Sequence, residues 1–144
     1  MNIFFVCTGN TCRSPMAEAI LKAKQLDGMD ARSAGLFAGG GPISGHARNV
    51  LTEEGIDTDH QSRSVTPDDI DWATLVLTMT KAHKDALIRS YPGAGHKIYT
   101  LKEYVYGEEH DVSDPYGGSE SQYRETYREL KGLLAGLEQR LDNQ

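Results

Sequence analysis

A single α/β domain, built on a parallel sheet with helices on both faces, is the architecture this sequence predicts, and three observations carry it. Short apolar runs alternate with stretches of helical periodicity from one end of the chain to the other. The first run, Ile3-Phe4-Phe5-Val6, is apolar at every position, as a strand buried on both faces is. That run ends in a glycine-containing loop leading straight into a helix, and in open sheets of this kind ligands bind beyond the carboxyl ends of the strands.

After the first strand, Ser14-Pro15 reads as an N-cap with proline at the first helical position. The helix it opens should run to about Gln25, with Met16, Ala19, Ile20 and Ala23 as its apolar face. A second strand is expected over residues 31–34, ended by Gly35, and Gly39-Gly40-Gly41-Pro42 reads as a surface loop. Ala47, Val50 and Leu51 predict a helix over residues 45–54 with Gly55 as its C-cap. Thr66-Pro67-Asp68-Asp69 starts another helix, its acids where the helix dipole favours them. Residues 74–78 form the clearest core strand, with Trp72 just before it assigned to the core. Thr80 caps a helix over residues 81–90 that Pro92-Gly93 stops, and residues 97–100 are the fourth strand candidate. A long loop over residues 106–120 precedes a closing amphipathic helix with the stripe Tyr123, Tyr127, Leu130, Leu134, Leu137 and Leu141. Tyr123 has an alternative reading as an exposed, phosphorylatable side chain.

The 144 residues correspond to one domain spanning 1–144, and 38% hydrophobic with 25% charged residues fits a globular chain. A formal net charge of −6 argues against a nucleic-acid or anionic-membrane partner held by bulk charge. Any anionic ligand must be gripped by a local site. Two cysteines, Cys7 and Cys12, make neither a disulfide framework nor a four-ligand zinc pattern. With neither signal-peptide features nor a run of about 18 apolar residues, the chain reads as a cytoplasmic protein with both thiols reduced.

The chemically informative segment is Cys7-Thr8-Gly9-Asn10-Thr11-Cys12-Arg13-Ser14-Pro15. Five residues separate Cys7 from Arg13, enough for a loop to curl around one tetrahedral anion with its backbone N–H groups pointing inward. Gly9 and Asn10 tolerate the backbone conformations such a curl demands. Arg13 offers a planar fork for two phosphoryl oxygens. A thiol at a helix N-terminus beside an arginine can fall well below the free value of about 8.5. Cys7 is therefore the candidate nucleophile, Arg13 the transition-state anchor, and Ser14 a hydroxyl donor to the sulfur.

These residues, continued through Met16-Ala17-Glu18, resemble the signature of the low-molecular-weight protein tyrosine phosphatases, and Ser33-Ala34-Gly35 and Asp114-Pro115-Tyr116 resemble later landmarks of that family. The resemblance spans almost the whole chain. It implies a four-stranded parallel sheet, a covalent phosphocysteine intermediate, and no metal or other cofactor. Thr11 departs from the tyrosine-specific members, which usually carry Ile or Leu there. With Thr8 beside it, Thr11 is similar to the bacterial protein arginine phosphatase branch.

The resemblance also assigns the general acid to Asp114. The residues alone leave 21 carboxylates open, Asp111 among them. An acid beside a bound phosphoryl dianion tends to keep its proton, as an acid catalyst must. Tyr116 and Phe37 are expected to wall the pocket, with ordinary packing the alternative for Phe37. Thr8, Gly9, Asn10, Thr11, Cys12 and Ser14 complete the expected substrate-binding set. The family uses a second thiol such as Cys12 redox-reversibly, and the plainer alternative is a small residue supporting the loop. The histidines His46, His60, His83, His96 and His110 show no ligand spacing and are assigned solvated or capping roles.

The expected function is hydrolysis of phosphoarginine on proteins by a chain acting as a monomer, with phosphotyrosine the alternative substrate. Thiol-dependent arsenate reductases share the cradle but need a further cysteine pair downstream, and no cysteine follows Cys12. A phosphocysteine carrier would leave Arg13 and Asp114 without a purpose.

Overall fold

β1 (Asn2–Cys7) lies inside a four-stranded sheet of order β2-β1-β3-β4, flanked by β2 (Asp30–Gly35) and β3 (Leu75–Thr78), with β4 (Ile98–Thr100) beyond β3. Every pairing is parallel, as the sequence predicts. The computed structural model describes residues 1–143. The apolar run of β1 alternates between two cores: Ile3 and Phe5 enter one, Phe4 and Val6 the other. All four are fully buried, and each phenylalanine contributes about 1.5–3 kcal/mol of hydrophobic stabilisation.

The first face is covered by α1 (Arg13–Ala23) and α2 (Gly45–Glu53) together with α5 (Leu101–Tyr106) and α6 (Glu120–Asp142). The second is covered by α3 (Pro67–Trp72), α4 (Lys81–Ser90) and the 3₁₀ turn Pro92–Lys97. Ser44, Thr66, Thr80 and Ser119 each accept a backbone N–H as N-caps of α2, α3, α4 and α6. Among the described residues, no helix is long and apolar enough to cross a membrane.

Three expectations need correction, and one short helix is added. α1 starts at Arg13 with Cys12 at the N-cap, so Ser14 lies inside the helix and its hydroxyl is used elsewhere. Ala17 and Leu21 join the buried face of α1, and Ala23 is exposed. Residues 101–106 form α5, which carries a capping box between Thr100 and Glu103. Trp72 is half-buried, with the Arg32 guanidinium 4.1 Å above its ring. For Tyr123 the alternatives close: at 3% exposure it belongs to the buried stripe of α6 and not to the surface.

Candidate active site

Cys7 ends β1 and Arg13 begins α1, so the loop between them spans the carboxyl edge of the sheet. Its curl is anchored on all sides. The Leu36 and Phe37 amides donate to the carbonyls of Cys7 and Thr8 (3.0 and 2.9 Å), and the Ser44 amide to that of Thr11 (2.9 Å). The tight point is Asn10, whose φ of 56° lies in the left-handed region. Gly9 does not adopt positive φ, so the strain of the turn rests on Asn10 alone within the loop.

Asn10 is fully buried, and every polar group of its side chain is occupied. Its Nδ2 donates to Ser14 Oγ (2.9 Å) and Ser33 Oγ (3.0 Å), and its Oδ1 accepts from the Arg63 amide (3.0 Å). Its own carbonyl accepts from His60 Nε2 at 2.9 Å. Ser33 in turn donates to Glu18 at 2.5 Å. Gly35 makes room for this curl: a methyl there would overlap the Thr8 carbonyl and lie 2.9 Å from the Asn10 amide nitrogen. Gly35→Ala is therefore expected to push the loop outward and lower kcat/KM about 100-fold. Steady-state kinetics beside a thermal melt checks this, and unchanged kinetics in a folded variant would mean the loop is not rigidly seated.

Cys7 and Arg13 are the most buried residues lining a cavity of about 280 Å³, at 3% and 5% exposure. Thr8, Gly9, Thr11 and Cys12 line the same cavity, and Asp114 and Tyr116 reach it from the loop before α6. Ser14 Oγ lies 2.8 Å from the Cys7 sulfur. When Cys7 is a thiolate its sulfur carries no hydrogen, so Ser14 donates to it while the same oxygen accepts from Asn10. One Arg13 nitrogen donates to the Val112 carbonyl at 3.1 Å, and the other lies 3.5 Å from Asp114 Oδ2.

Asp114 is set there by its loop. The Val112 amide donates to the Met79 carbonyl (2.9 Å) at the end of β3, and the Ser113 amide to Glu129 of α6 (3.0 Å). Burial works against the Glu129 charge, but Lys102 and Ser113 outweigh it and hold that carboxyl below the usual range. Asp114 Oδ1 accepts from the Tyr116 amide at 3.1 Å, and the carboxylate remains 55% exposed. Asp111 instead accepts the Lys81 amide at the start of α4 (2.9 Å), which separates the two aspartates by geometry.

A model of the low molecular weight phosphotyrosine protein phosphatase family matches residues 2–144. The chain belongs to that family. It is 48% identical to a protein-arginine-phosphatase of Geobacillus stearothermophilus over 99% of this chain and 97% of the relative. It superposes with a TM-score of 0.95, at 44% identity over 99% of this chain and 96% of the other, on a YwlE arginine phosphatase whose active-site cysteine is replaced by a phosphorylated serine. A low molecular weight protein tyrosine phosphatase from T. tengcongensis gives a TM-score of 0.91 at 48% identity over 97% and 99% of the two chains.

Of the family residues expected from the sequence, Cys7, Thr8, Gly9, Thr11, Cys12, Arg13, Asp114 and Tyr116 come together around the cavity. Asn10 and Ser14 do not line it; their side chains hold the loop and the sulfur from behind. Phe37 does not line it either, and at 81% exposure it is not packed elsewhere. Two histidines assigned to solvated or capping roles instead support the loop: His60 at the Asn10 carbonyl, and His83, whose Nε2 lies 2.8 Å from Thr8 Oγ1. Burial and the Arg13 charge pull the His83 pKa down to about 4, against the opposing pull of Asp111 and Asp114. No local signal could have found either ring, since 50 and 75 residues separate them from their partners. Tyr123 lies in the buried stripe of α6, and its hydroxyl also lies 3.4 Å from the Cys12 sulfur. Burial, and next that contact, push its pKa up to about 12, so it stays a neutral phenol.

Proposed function

We propose that this chain hydrolyses phosphoarginine on proteins through a phosphocysteine intermediate. The observation that carries the reading is one cavity shared by Cys7, Arg13 and Asp114, with Thr11 on its wall. The Cys7 thiolate attacks phosphorus in line, forming the S–P bond as the P–N bond breaks. Asp114 gives its proton to the departing guanidine nitrogen, while Arg13 and the loop amides hold the phosphoryl oxygens. Water then attacks phosphorus and gives a proton to Asp114. The S–P bond breaks, phosphate leaves, and Ser14 donates to the sulfur as it regains its charge.

The relatives named arginine phosphatases support the substrate, and the phosphorylated serine in one of them supports a covalent step. The equally similar T. tengcongensis relative, named a tyrosine phosphatase, keeps phosphotyrosine as the second reading. Comparing kcat/KM on a phosphoarginine and a phosphotyrosine peptide decides between them. Every group the chemistry uses comes from one chain, which supports action as a monomer, and two unpaired thiols support a cytoplasmic setting.

Thr11 lines the cavity, and on this reading its side chain sits beside the group that leaves phosphorus. A hydroxyl suits a planar cationic guanidinium, and a branched aliphatic group suits an aromatic ring. Thr11→Ile is expected to lose about 5- to 150-fold in kcat/KM on phosphoarginine and to gain on phosphotyrosine. An unchanged ratio of the two substrates would favour the tyrosine reading.

Cys12 faces the same cavity as Cys7 and has a free thiol. Mild peroxide is expected to oxidise Cys7 to a sulfenic acid, which condenses with the Cys12 thiol, releasing water and forming a disulfide. Cys12→Ser should keep activity but lose it irreversibly to peroxide, as Cys7 climbs to sulfinic acid. Full recovery of that variant with dithiothreitol would remove the protective role.

A further inference from the structure

His83 takes no part in the chemistry above, yet it is a buried titratable side chain joined to the cavity wall. The residue is 6% exposed and projects from α4, an element that does not itself line the cavity. Among the described residues the ring's hydrogen-bond partner is Thr8, at 2.8 Å from Nε2, and its Nδ1 is buried without a hydrogen-bond partner. That orphaned atom selects the tautomer. A buried N–H without an acceptor is rarer and more costly than a bare ring nitrogen, so the proton sits on Nε2 and is donated to Thr8 Oγ1.

The consequence falls on Thr8. An oxygen that accepts from His83 keeps its own O–H and one lone pair for the cavity. Cys7 and Arg13 lie at the buried side of that cavity while Thr8 is exposed, so Thr8 stands at the level of the group leaving phosphorus. There a phosphoguanidine presents two neighbouring partners, a phosphoryl oxygen that accepts and a guanidinium N–H that donates. A hydroxyl held to do both matches that pair. An aryl phosphate presents acceptors and an apolar ring.

We infer that His83 is a positioning residue for substrate selection, locking the Thr8 hydroxyl so that it bonds the scissile P–N group of a phosphoguanidine. The inference rests on the phosphoarginine reading. The neutral ring it requires is the state that burial and Arg13 favour, against the opposing pull of Asp111 and Asp114.

The test is a double-mutant cycle on Thr8→Val and His83→Leu, read as kcat and KM on a phosphoarginine peptide and on para-nitrophenyl phosphate. Each single variant is expected to lower the ratio of kcat/KM between the two substrates about tenfold, and the double variant no further. His83→Gln, whose amide N–H replaces Nε2–H, should recover the ratio to within about threefold while His83→Leu does not. Losses that multiply in the double variant, or an unchanged ratio in a folded His83→Leu, overturn the inference and leave the substrate reading standing. Wild-type protein that does not turn over phosphoarginine overturns both. Should His83→Leu fail to fold, Thr8→Val and His83→Gln supply the decision: a ratio unchanged in Thr8→Val, or one that falls about tenfold in His83→Gln as well, overturns the inference.

Discussion

Cys7→Ser is expected to lower kcat at least about 1,000-fold, because an alcohol in the same position is a far weaker nucleophile than a thiolate. The site should otherwise stay intact. Ser14, Asn10 and the Gly35 approach hold the loop through contacts that do not need sulfur, apart from the single Ser14 bond to it. Inorganic phosphate or vanadate should therefore still bind, through the loop amides and Arg13. The variant separates binding from chemistry, and calorimetry beside stopped-flow turnover measures both. The related YwlE variant bearing a phosphorylated serine suggests a further readout: the substituted protein should retain one phosphoryl group by mass after incubation with substrate. Substantial steady turnover by Cys7→Ser would sink the covalent mechanism.

What the sequence revealed of this site follows from where its information is local. Cys7 through Arg13 lie between a strand and a helix, so chain order alone puts the thiol, the curl and the guanidinium at one edge of the sheet. The two-sided apolar run of β1 likewise predicted burial on both faces, and the two cores meet on it. A serine before proline is a good cap in isolation, but the Ser14 hydroxyl serves the sulfur and Asn10 instead, and the helix starts two residues earlier, at Arg13. α5 was legible in principle, since Thr100 and Glu103 form a capping box, but six residues give almost no periodicity. His60 and His83 were not legible at all. Each meets the loop only because the sheet brings distant segments to one edge, and a lone histidine carries no pattern that foretells it. Family likeness, not chain order, points to Asp114 over Asp111, and the two differ in place: Asp114 lines the cavity beside Arg13, whereas Asp111 accepts the first amide of α4 and does not line it.

Asp114→Asn is expected to show a loss that depends on what leaves phosphorus. The substitution keeps the side chain's shape and its oxygen for the Tyr116 amide, but removes the exchangeable proton and the charge beside Arg13. The contact with Arg13, at 3.5 Å and with Asp114 55% exposed, contributes little to stability, so the thermal midpoint should barely move. Chemistry is another matter. A guanidine leaving as its anion is a very poor leaving group, so on phosphoarginine the first step needs the proton and kcat should fall about 100- to 10,000-fold. Para-nitrophenolate leaves without protonation, so formation of the phosphocysteine should proceed nearly as before. Its hydrolysis should then be slow, because asparagine cannot take the proton from the attacking water. The variant should accordingly release close to one equivalent of nitrophenolate in a burst, followed by slow turnover. Equal losses on both substrates with no burst would assign Asp114 to holding Arg13 and leave the proton donor to be found elsewhere.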